Sequence, residues 1–484
     1  GLGWYTCGPT TYAPAHLGHA RTYVCLDILR RVMTSQKQSE STPEPLFVLN
    51  ITDVDDKTLA AALEDGGSDP LLLARKYEQE FWRDWDALNC LRPHIVTRVT
   101  EHVDSHIVPF VQGLVEKGFA YELIEDNGDS SDNNANGIYF DVRAYNEHMG
   151  HMTRYGKLAP PAAAQDIDDI LLNNKNGNSL EDCIDPNAPL KTKKDPRDFV
   201  LWKKQKVGEA LSWSSPWGDG RPGWHIECSG IASDILGENI DVHAGGVDLK
   251  FPHHDNELAQ SEAYFDNDVW TRYFLHSGHL TISGCKMSKS LKNFITIQDV
   301  LKKYTARQLR ITFLLHSWKD TLDYNDNTME LAKSYEKTAN EFFLGVKHLL
   351  RSSPSNGVAA FTKWGPAEMD MNLKLEKCKA CVHSAFCDNI DTRTVLETIR
   401  ELITSANVYI EANRSTGSLN RQLLKNIAVY ITKIFDVLGM ISGGEGLGFP
   451  SGGGTGEGVD LETLVLPYLS SMADFRDNVR RSAR

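Results

Sequence analysis

Two clusters of residues in this chain have the types and spacing to handle phosphate. His16-Leu17-Gly18-His19 sets two imidazoles where a loop enters a helix, so both side chains can face a ligand held against the helix's positive end and its free N–H groups. Gly18 lets that ligand approach closely. Far downstream, Lys286-Met287-Ser288-Lys289-Ser290 places two ammonium groups among small serines, flanked by Gly284 and Asn293, on a loop able to swing. Fixed donors with mobile cations suit attack on the first phosphorus of a triphosphate with pyrophosphate leaving, because the negative charge that builds on oxygen is met by those donors. Activation of a carboxylate by ATP is such a reaction. Each cluster also has a plainer reading, as surface or capping histidines and as a solvated basic turn.

A third constellation lies in Trp224-His225-Ile226-Glu227-Cys228 and Phe251-Pro252-His253-His254-Asp255-Asn256-Glu257. If a helix starts after Pro252, His253 and Glu257 stand at i and i+4 and project from one face, as a pair of metal ligands must. Adding Cys228 and Cys7 gives two thiolates, an imidazole and a carboxylate, a set that suits zinc. Small buried cysteines and a helix-capping His253 would account for the same residues. Cys378, Cys381, His383 and Cys387 resemble a zinc knuckle. Leu373, Leu375, Cys378, Val382 and Ala385, however, fit one face of an amphipathic helix on which cysteine acts as a small hydrophobe.

The elements that must position these groups alternate. Residues 2–6 read as a strand ending in the turn Cys7-Gly8-Pro9-Thr10, residues 20–33 as an amphipathic helix, and Leu46–Ile51 as a second strand followed by helical periodicity through Trp85. Residues 239–243 again read as a strand. This order predicts a doubly wound parallel sheet. The polar stretches 125–137 and 173–178 mark an insertion within it. From Leu301 the pattern is helical, over 329–350, 373–384 and 394–438, with the Gly-rich run 443–458 as a linker and a last helix over 459–483.

At 484 residues with 41% hydrophobic and 24% charged residues, the chain has room for several domains, and it holds no apolar run of the roughly 20 residues a membrane helix needs. The opening residues read as a strand, not a signal peptide. A net charge of −14 excludes a surface that is basic throughout. Local basic clusters remain, at Lys286, Lys289, Lys292, Lys302, Lys303, Arg307 and Arg310 and again at Arg476, Arg480, Arg481 and Arg484, as candidate phosphate-contacting faces. Nine scattered cysteines fit a reducing compartment better than a disulfide scaffold.

Taken together, these motifs resemble the class I aminoacyl-tRNA synthetases, and within them the cysteinyl-tRNA synthetases of the eukaryotic cytosolic type. The likeness runs from the turn after Tyr5 through His16 to His19, residues 50–57, 220–228, 243–257 and 278–323, and so covers most of the chain. It implies an α/β fold: a Rossmann-type parallel-sheet catalytic domain (1–103 and 221–275) split by a connective insertion (104–220). A stem-contact segment bearing the pentad (276–328) and an α-helical tRNA-docking domain (329–484) follow, with an incomplete anticodon-reading end. The implied partners are ATP, L-cysteine and tRNA-Cys, in the cytoplasm and without a membrane.

The resemblance further implies one Zn²⁺ on Cys7, Cys228, His253 and Glu257 that receives the substrate thiol, and Mg²⁺ accompanying ATP. His16, His19, Lys286 and Lys289 would be catalytic; Gly18, Gly246 and Asp248 would join them around ATP; Thr52, Trp224 and His243 would hold cysteine. Leu17 replaces the family's isoleucine between the histidines, a conservative change. Ala244 stands where the family has glycine, and its methyl is expected to crowd the nucleotide. Two other functions share these features: a cysteine ligase acting on a small amino sugar, which the long helical region disfavours, and a catalytically silent, zinc-stabilised RNA-binding scaffold, which the intact histidines and lysines disfavour.

Overall fold

The computed structural model describes residues 2–36, 44–124, 136–148, 155–160, 193–206, 208–287, 293–351, 363–413, 419–441, 446–450 and 461–482. Lys289 lies outside them, as does the side chain of Lys286. The chain forms two compact units, one of residues 1–306 with 316–328 and one of residues 307–315 with 329–484.

The first unit is built on a five-stranded sheet. β1 (Gly3–Thr6) lies between β2 (Leu46–Ile51) and a strand far along the chain, β8 (Ile240–Gly246), with β3 (Ile95–Arg98) and β9 (Thr271–Ser277) at the edges; every neighbouring pair is parallel. The inner strands β1 and β2 are apolar runs buried on both faces, with Trp4, Tyr5, Val48 and Leu49 all at 0% exposure, as expected where helices cover a parallel sheet on both sides, whereas the edge strands β3 and β9 are partly exposed. Order 3-2-1-8-9 reverses direction between β1 and β8. In such a sheet the crevice beyond the strands' C-terminal ends at the reversal is where ligands bind.

α1 (Leu17–Ser35) follows β1, starting three residues before the apolar period suggested because His16 itself caps it. The helical stretch expected through Trp85 is two helices, α2 (Asp56–Glu64) and α3 (Pro70–Ala87). Asp69 caps the second by accepting from the N–H groups of Leu71 and Leu72, and Pro70 fits its first turn, where no N–H is required. Between β3 and β8 the chain builds a second sheet, in which β4 (Ala120–Leu123), β5 (Gly137–Phe140), β6 (Phe199–Lys204) and β7 (Gly220–Pro222) pair antiparallel; its last strand runs two residues past the insertion boundary expected at 220. Its buried Phe140, Leu201 and Trp202 belong to the same apolar cluster as Tyr5 of the parallel sheet and Ile226 and Trp270 beside it, so the two sheets share a core.

α4 (Val108–Glu116) precedes β4 and α5 (Val142–His148) follows β5; after β7 come α6 (Trp224–Leu236), β8, and then α7 (His253–Phe265). A small sheet of β10 (Leu280–Ile282), β11 (Cys285–Lys286) and β12 (Leu322–Tyr324) follows β9.

The second unit is helical, as the periodicity predicts. The span 394–438 is not one helix but two, Thr392–Asn413 and Arg421–Val437, the latter capped by Asn420. Part of the run expected to be a linker is packed: Phe449 is 5% exposed and lies between the rings of Phe343 and Phe435, at 5.7 and 5.6 Å. A single aromatic among glycines carries no period, which is why the sequence pattern conceals it. On the helix Pro366–Cys387 the packing reading holds for Leu375, Cys378, Val382 and Ala385, which are buried, and Cys381 contacts Thr398, but Leu373 and Cys387 are exposed and do not belong to the packed face. Arg310, counted above among candidate phosphate contacts, is 1% exposed and donates to the Leu438 carbonyl, and Arg307 pairs with Glu336.

Candidate active site

A cavity of about 480 Å³ opens at the C-terminal ends of β1 and β8. Its wall includes Cys7, His16, Gly18, His19, Thr52, Trp224, Cys228, Gly246, Asp248 and His253. Residues spread over 250 positions of sequence thus meet because the sheet's reversal brings the loop after β1, the start of α1 and the elements after β8 to one crevice.

At one end, Cys7, Cys228, His253 and Glu257 converge. Cys7 Sγ is 3.6 Å from Cys228 Sγ, 3.5 Å from His253 Nε2 and 3.6 Å from Glu257 Oε1, and His253 Nε2 is 2.9 Å from Glu257 Oε1. All four are buried, and their donor atoms lie within 4.8 Å of one another. α7 begins at His253, so His253 and Glu257 do occupy i and i+4 on one face. Zinc bond lengths imply sulfur–sulfur edges of about 3.8 Å and sulfur–nitrogen edges of about 3.6 Å in a tetrahedral site. The observed spacings fit a single divalent cation at the centre, and the sulfurs are far outside disulfide distance.

Glu257 is shared: its Oε2 lies 2.9 Å from His243 Nε2, while His253 turns its other nitrogen, Nδ1, to His225 Nδ1 at 2.8 Å. Ligands oriented by hydrogen bonds from behind are the usual construction of a metal centre. Burial and the adjacent Cys228 push the Cys7 thiol up, whereas hydrogen bonding to Cys7 pulls Cys228 down to about 6. Burial works against a charged His253, but Glu257 and Cys228 overcome it and raise the imidazole to about 10. Burial likewise opposes the Glu257 carboxylate, yet His243 and His253 hold it well below its usual range. The cluster therefore concentrates negative charge with a proton on His253 in the place a dication would take.

His243 is fully buried behind Glu257 and does not reach the cavity wall. Trp224, the first residue of α6, stacks on His253 at 4.1 Å and does line the wall. Thr52 is fixed by its backbone, donating its N–H to the Pro9 carbonyl and accepting from Thr11 N–H, and its hydroxyl donates to Glu227 Oε2 at 3.4 Å. Burial pushes the Glu227 carboxyl well up, with Asp55 and Cys228 adding to the effect.

At the other end are the paired histidines. His16 Nδ1 accepts from the N–H groups of Gly18 and His19 at 3.1 and 3.4 Å, and His19 Nδ1 accepts from His16 N–H at 3.3 Å; the rings stack at 3.8 Å. This reciprocal capping fixes the tautomer. With both Nδ1 atoms accepting, a neutral ring carries its proton on Nε2. Both rings are neutral near pH 7: burial pulls His16 down to about 4 against the pull of Asp248, and burial with His16 beside it holds His19 well below its ordinary value. The pair thus offers N–H donors, not cations. Gly18 is required here, since a Cβ would stand 2.8 Å from the His16 ring, and one on Gly246 would stand 2.3 Å from Asp248 Oδ1.

Met287 of the lysine pentad and the described residues just after the pentad come to the same place. Met287 lines the cavity, Phe294 meets the His16 ring edge-on at 5.3 Å, and Leu17 N–H donates to the Ile295 carbonyl. Ala244 is fully buried within β8 and is absent from the wall, so its methyl does not crowd the cavity as the sequence suggested. His225 and Glu227, which carry no role in the sequence pattern, stand behind the wall, whereas Asn50, Lys57 and His279, equally unmarked there, line it. No periodicity or spacing marks the last three.

Residues 1–334 match the family described as tRNA synthetases class I (C) catalytic domain. The chain is 41% identical to the human "Cysteine--tRNA ligase, cytoplasmic", covering 99% of this chain and 74% of that protein. It is 40% identical to the Drosophila melanogaster protein of the same description, covering 99% and 75%. Among solved structures it is similar to the Mycobacterium tuberculosis methionyl-tRNA synthetase bound by methionyl-adenylate, with a TM-score of 0.63 and 15% identity over 90% of this chain and 89% of that one. A likeness of that kind speaks to the fold alone.

Proposed function

Because the chain belongs to the class I aminoacyl-tRNA synthetases, and among them to the cysteine–tRNA ligases, we propose that it activates L-cysteine with ATP in this cavity and transfers the product to tRNA-Cys. In the first step a cysteine carboxylate oxygen attacks the α-phosphorus, forming cysteinyl adenylate as the bond to pyrophosphate breaks. In the second, a terminal ribose hydroxyl of the tRNA attacks the adenylate carbonyl and AMP leaves. The observation that carries this reading is a single cavity with a thiol-compatible ligand cluster at one end and two neutral imidazole donors at the other.

The residues present fit Zn²⁺, with Cys7, Cys228, His253 and Glu257 as the holders. When bound there it would supply a soft Lewis acid that prefers a thiolate to a hydroxyl. Trp224 flanks that end of the cavity and sets the width available to the substrate side chain, while His243 and His225 orient Glu257 and His253 from behind. Thr52, tied to Glu227, is placed to meet the substrate ammonium. A site that selects the side chain by its sulfur needs no separate editing step.

His16 and His19 act as Nε2–H donors to phosphate oxygens, and Gly18, Gly246 and Asp248 border the nucleotide. Lys286 and Lys289 are assigned to the departing pyrophosphate on their motif, and Mg²⁺ accompanies ATP. We further read residues 1–103 and 221–275 as the catalytic domain, 104–220 as its insertion, 276–328 as the stem-contact segment and 329–484 as the tRNA-docking part. The relatives' cytoplasmic designation supports a cytoplasmic setting.

The test is ATP–pyrophosphate exchange with cysteine and with serine, before and after chelation, in the wild type and in Cys228→Ser. Exchange with cysteine alone, lost on chelation and in the variant together with bound zinc, is expected. Exchange indifferent to zinc content would overturn the assignment of the cluster.

A further inference from the structure

Away from the cavity, His102, His106 and Asp234 gather a second group of potential ligands within 4.8 Å of one another. His102 ends the 3₁₀ turn Val99–Glu101, and His106 lies in the π-helical turn Val103–Ile107; both His106 and Ile107 donate their N–H to the His102 carbonyl. One turn of helix therefore separates the two imidazoles and leaves them on one face. Opposite them, Asp234 projects from the last turns of α6. Its two oxygens divide between the rings, Oδ2 at 3.1 Å from His102 Nδ1 and Oδ1 at 2.7 Å from His106 Nε2.

The outer nitrogens are already engaged. His102 Nε2 is in contact with the Thr97 hydroxyl, and His106 Nδ1 lies 2.8 Å from Ser105 Oγ. Each ring thus has one nitrogen held from behind and the other aimed at a shared carboxylate, the arrangement that orients imidazoles as metal ligands. His102 Nδ1 is buried and faces Asp234 Oδ2 at 3.1 Å outside good hydrogen-bond geometry. A cation held by the nitrogen's lone pair and the carboxylate together would replace that ill-directed pair.

We propose that His102, His106 and Asp234 form a second divalent-metal site of the zinc class, separate from the thiol-bearing cluster. Three ligands of two imidazoles and one carboxylate are a common zinc set that leaves a position for water. His106 is 41% and Asp234 27% exposed, so the group is reachable from solvent. The site would tie α6, which also carries Cys228, to the turn after β3; Thr100 in that turn is bonded to Asp53, next to Thr52. Six residues separate Cys228 from Asp234, about 9 Å along the helix. The metal would thus brace the helix supplying a ligand to the first site without touching substrate.

The test is a Zn²⁺ titration of the full chain against a chromophoric chelator, with total bound metal read by elemental analysis. Wild type is expected to bind two equivalents. His106→Ala and Asp234→Asn should each bind one, His106→Cys, which restores a ligand, should regain the second, and Cys228→Ser should lose the other equivalent instead. Excess Zn²⁺ should raise Tm in the wild type but not in Asp234→Asn. One equivalent in the wild type, or two retained in both His106→Ala and Asp234→Asn, would overturn the proposal. Circular dichroism of the variants separates loss of the site from loss of the fold.

Discussion

His16 performs two tasks that a pair of substitutions can pull apart. Its Nδ1 caps α1 by accepting two backbone N–H groups, and its Nε2–H is left for the cavity. Asparagine is a strong helix cap but cannot reach where Nε2 stands, so His16→Asn should preserve the first task and lose the second, while His16→Ala loses both. Losing a cap costs about 1 kcal/mol, and losing a donor to developing oxyanion charge costs about 3–4 kcal/mol, or 10²–10³ in rate. In pyrophosphate exchange both variants should therefore fall by that factor, and only His16→Ala should lose Tm, by on the order of 2 °C.

The pH dependence sharpens the case. Burial lowers His16 to about 4, so between its ordinary value of about 6.5 and 4 the unfolded chain binds a proton that the folded chain does not. Stability is then greatest above pH 6.5 and declines as pH falls through that window, by up to about 3 kcal/mol from this residue. His16→Asn removes this acid sensitivity, and the gap in Tm between variant and wild type should shift in the variant's favour from pH 7 to pH 4.5. Exchange retained within fivefold in His16→Asn, or a Tm loss equal to that of His16→Ala, would refute the division of labour.

Two further outcomes are expected. Lys289→Ala should slow exchange by roughly 10²-fold or more while leaving cysteine binding, measured by calorimetry, within a factor of two or three; an unaffected rate would remove the lysine from the phosphate chemistry. Replacing residues 126–134 by a short Gly-containing turn should leave exchange within twofold, because Leu123 and Gly137 are already paired across β4 and β5 and a tight hairpin can join them. A collapse of activity would show that this stretch serves the catalytic reaction.

Local patterns made the parallel-sheet strands legible, since β1, β2 and β8 are apolar runs bounded by turn residues. They also made His253 and Glu257 legible as a ligand pair, since helical spacing alone puts them on one face. What escaped was whatever depends on two distant segments meeting. The antiparallel sheet consists of strands as short as Gly220–Pro222, whose pairing no period announces. The sequence around His243 marks a strand, but that His243 stands behind Glu257 instead of on the wall follows from how β8 faces α7. The breaks before Pro70 and before Arg421 did carry local signals, in Asp69-Pro70 and Asn420, which continuous apolar spacing on either side overshadowed.

The placement of β1 in the middle of its sheet has a consequence for synthesis. β1 can pair with β2 as soon as the first 51 residues exist, but its other edge must wait for β8, whose Val242 is the partner of Trp4. At translation rates of about 5–20 residues per second, the intervening chain takes on the order of 10–40 s to appear. For that interval a central strand bearing Trp4 and Tyr5 presents an unpaired edge, and the crevice that becomes the cavity has one side. Neither the ligand cluster nor the cavity wall formed by Gly246 and Asp248 can exist before then. Nascent chains stalled between residues 60 and 235 should therefore engage chaperones that cover open strand edges, and chains stalled well beyond residue 265 should release them.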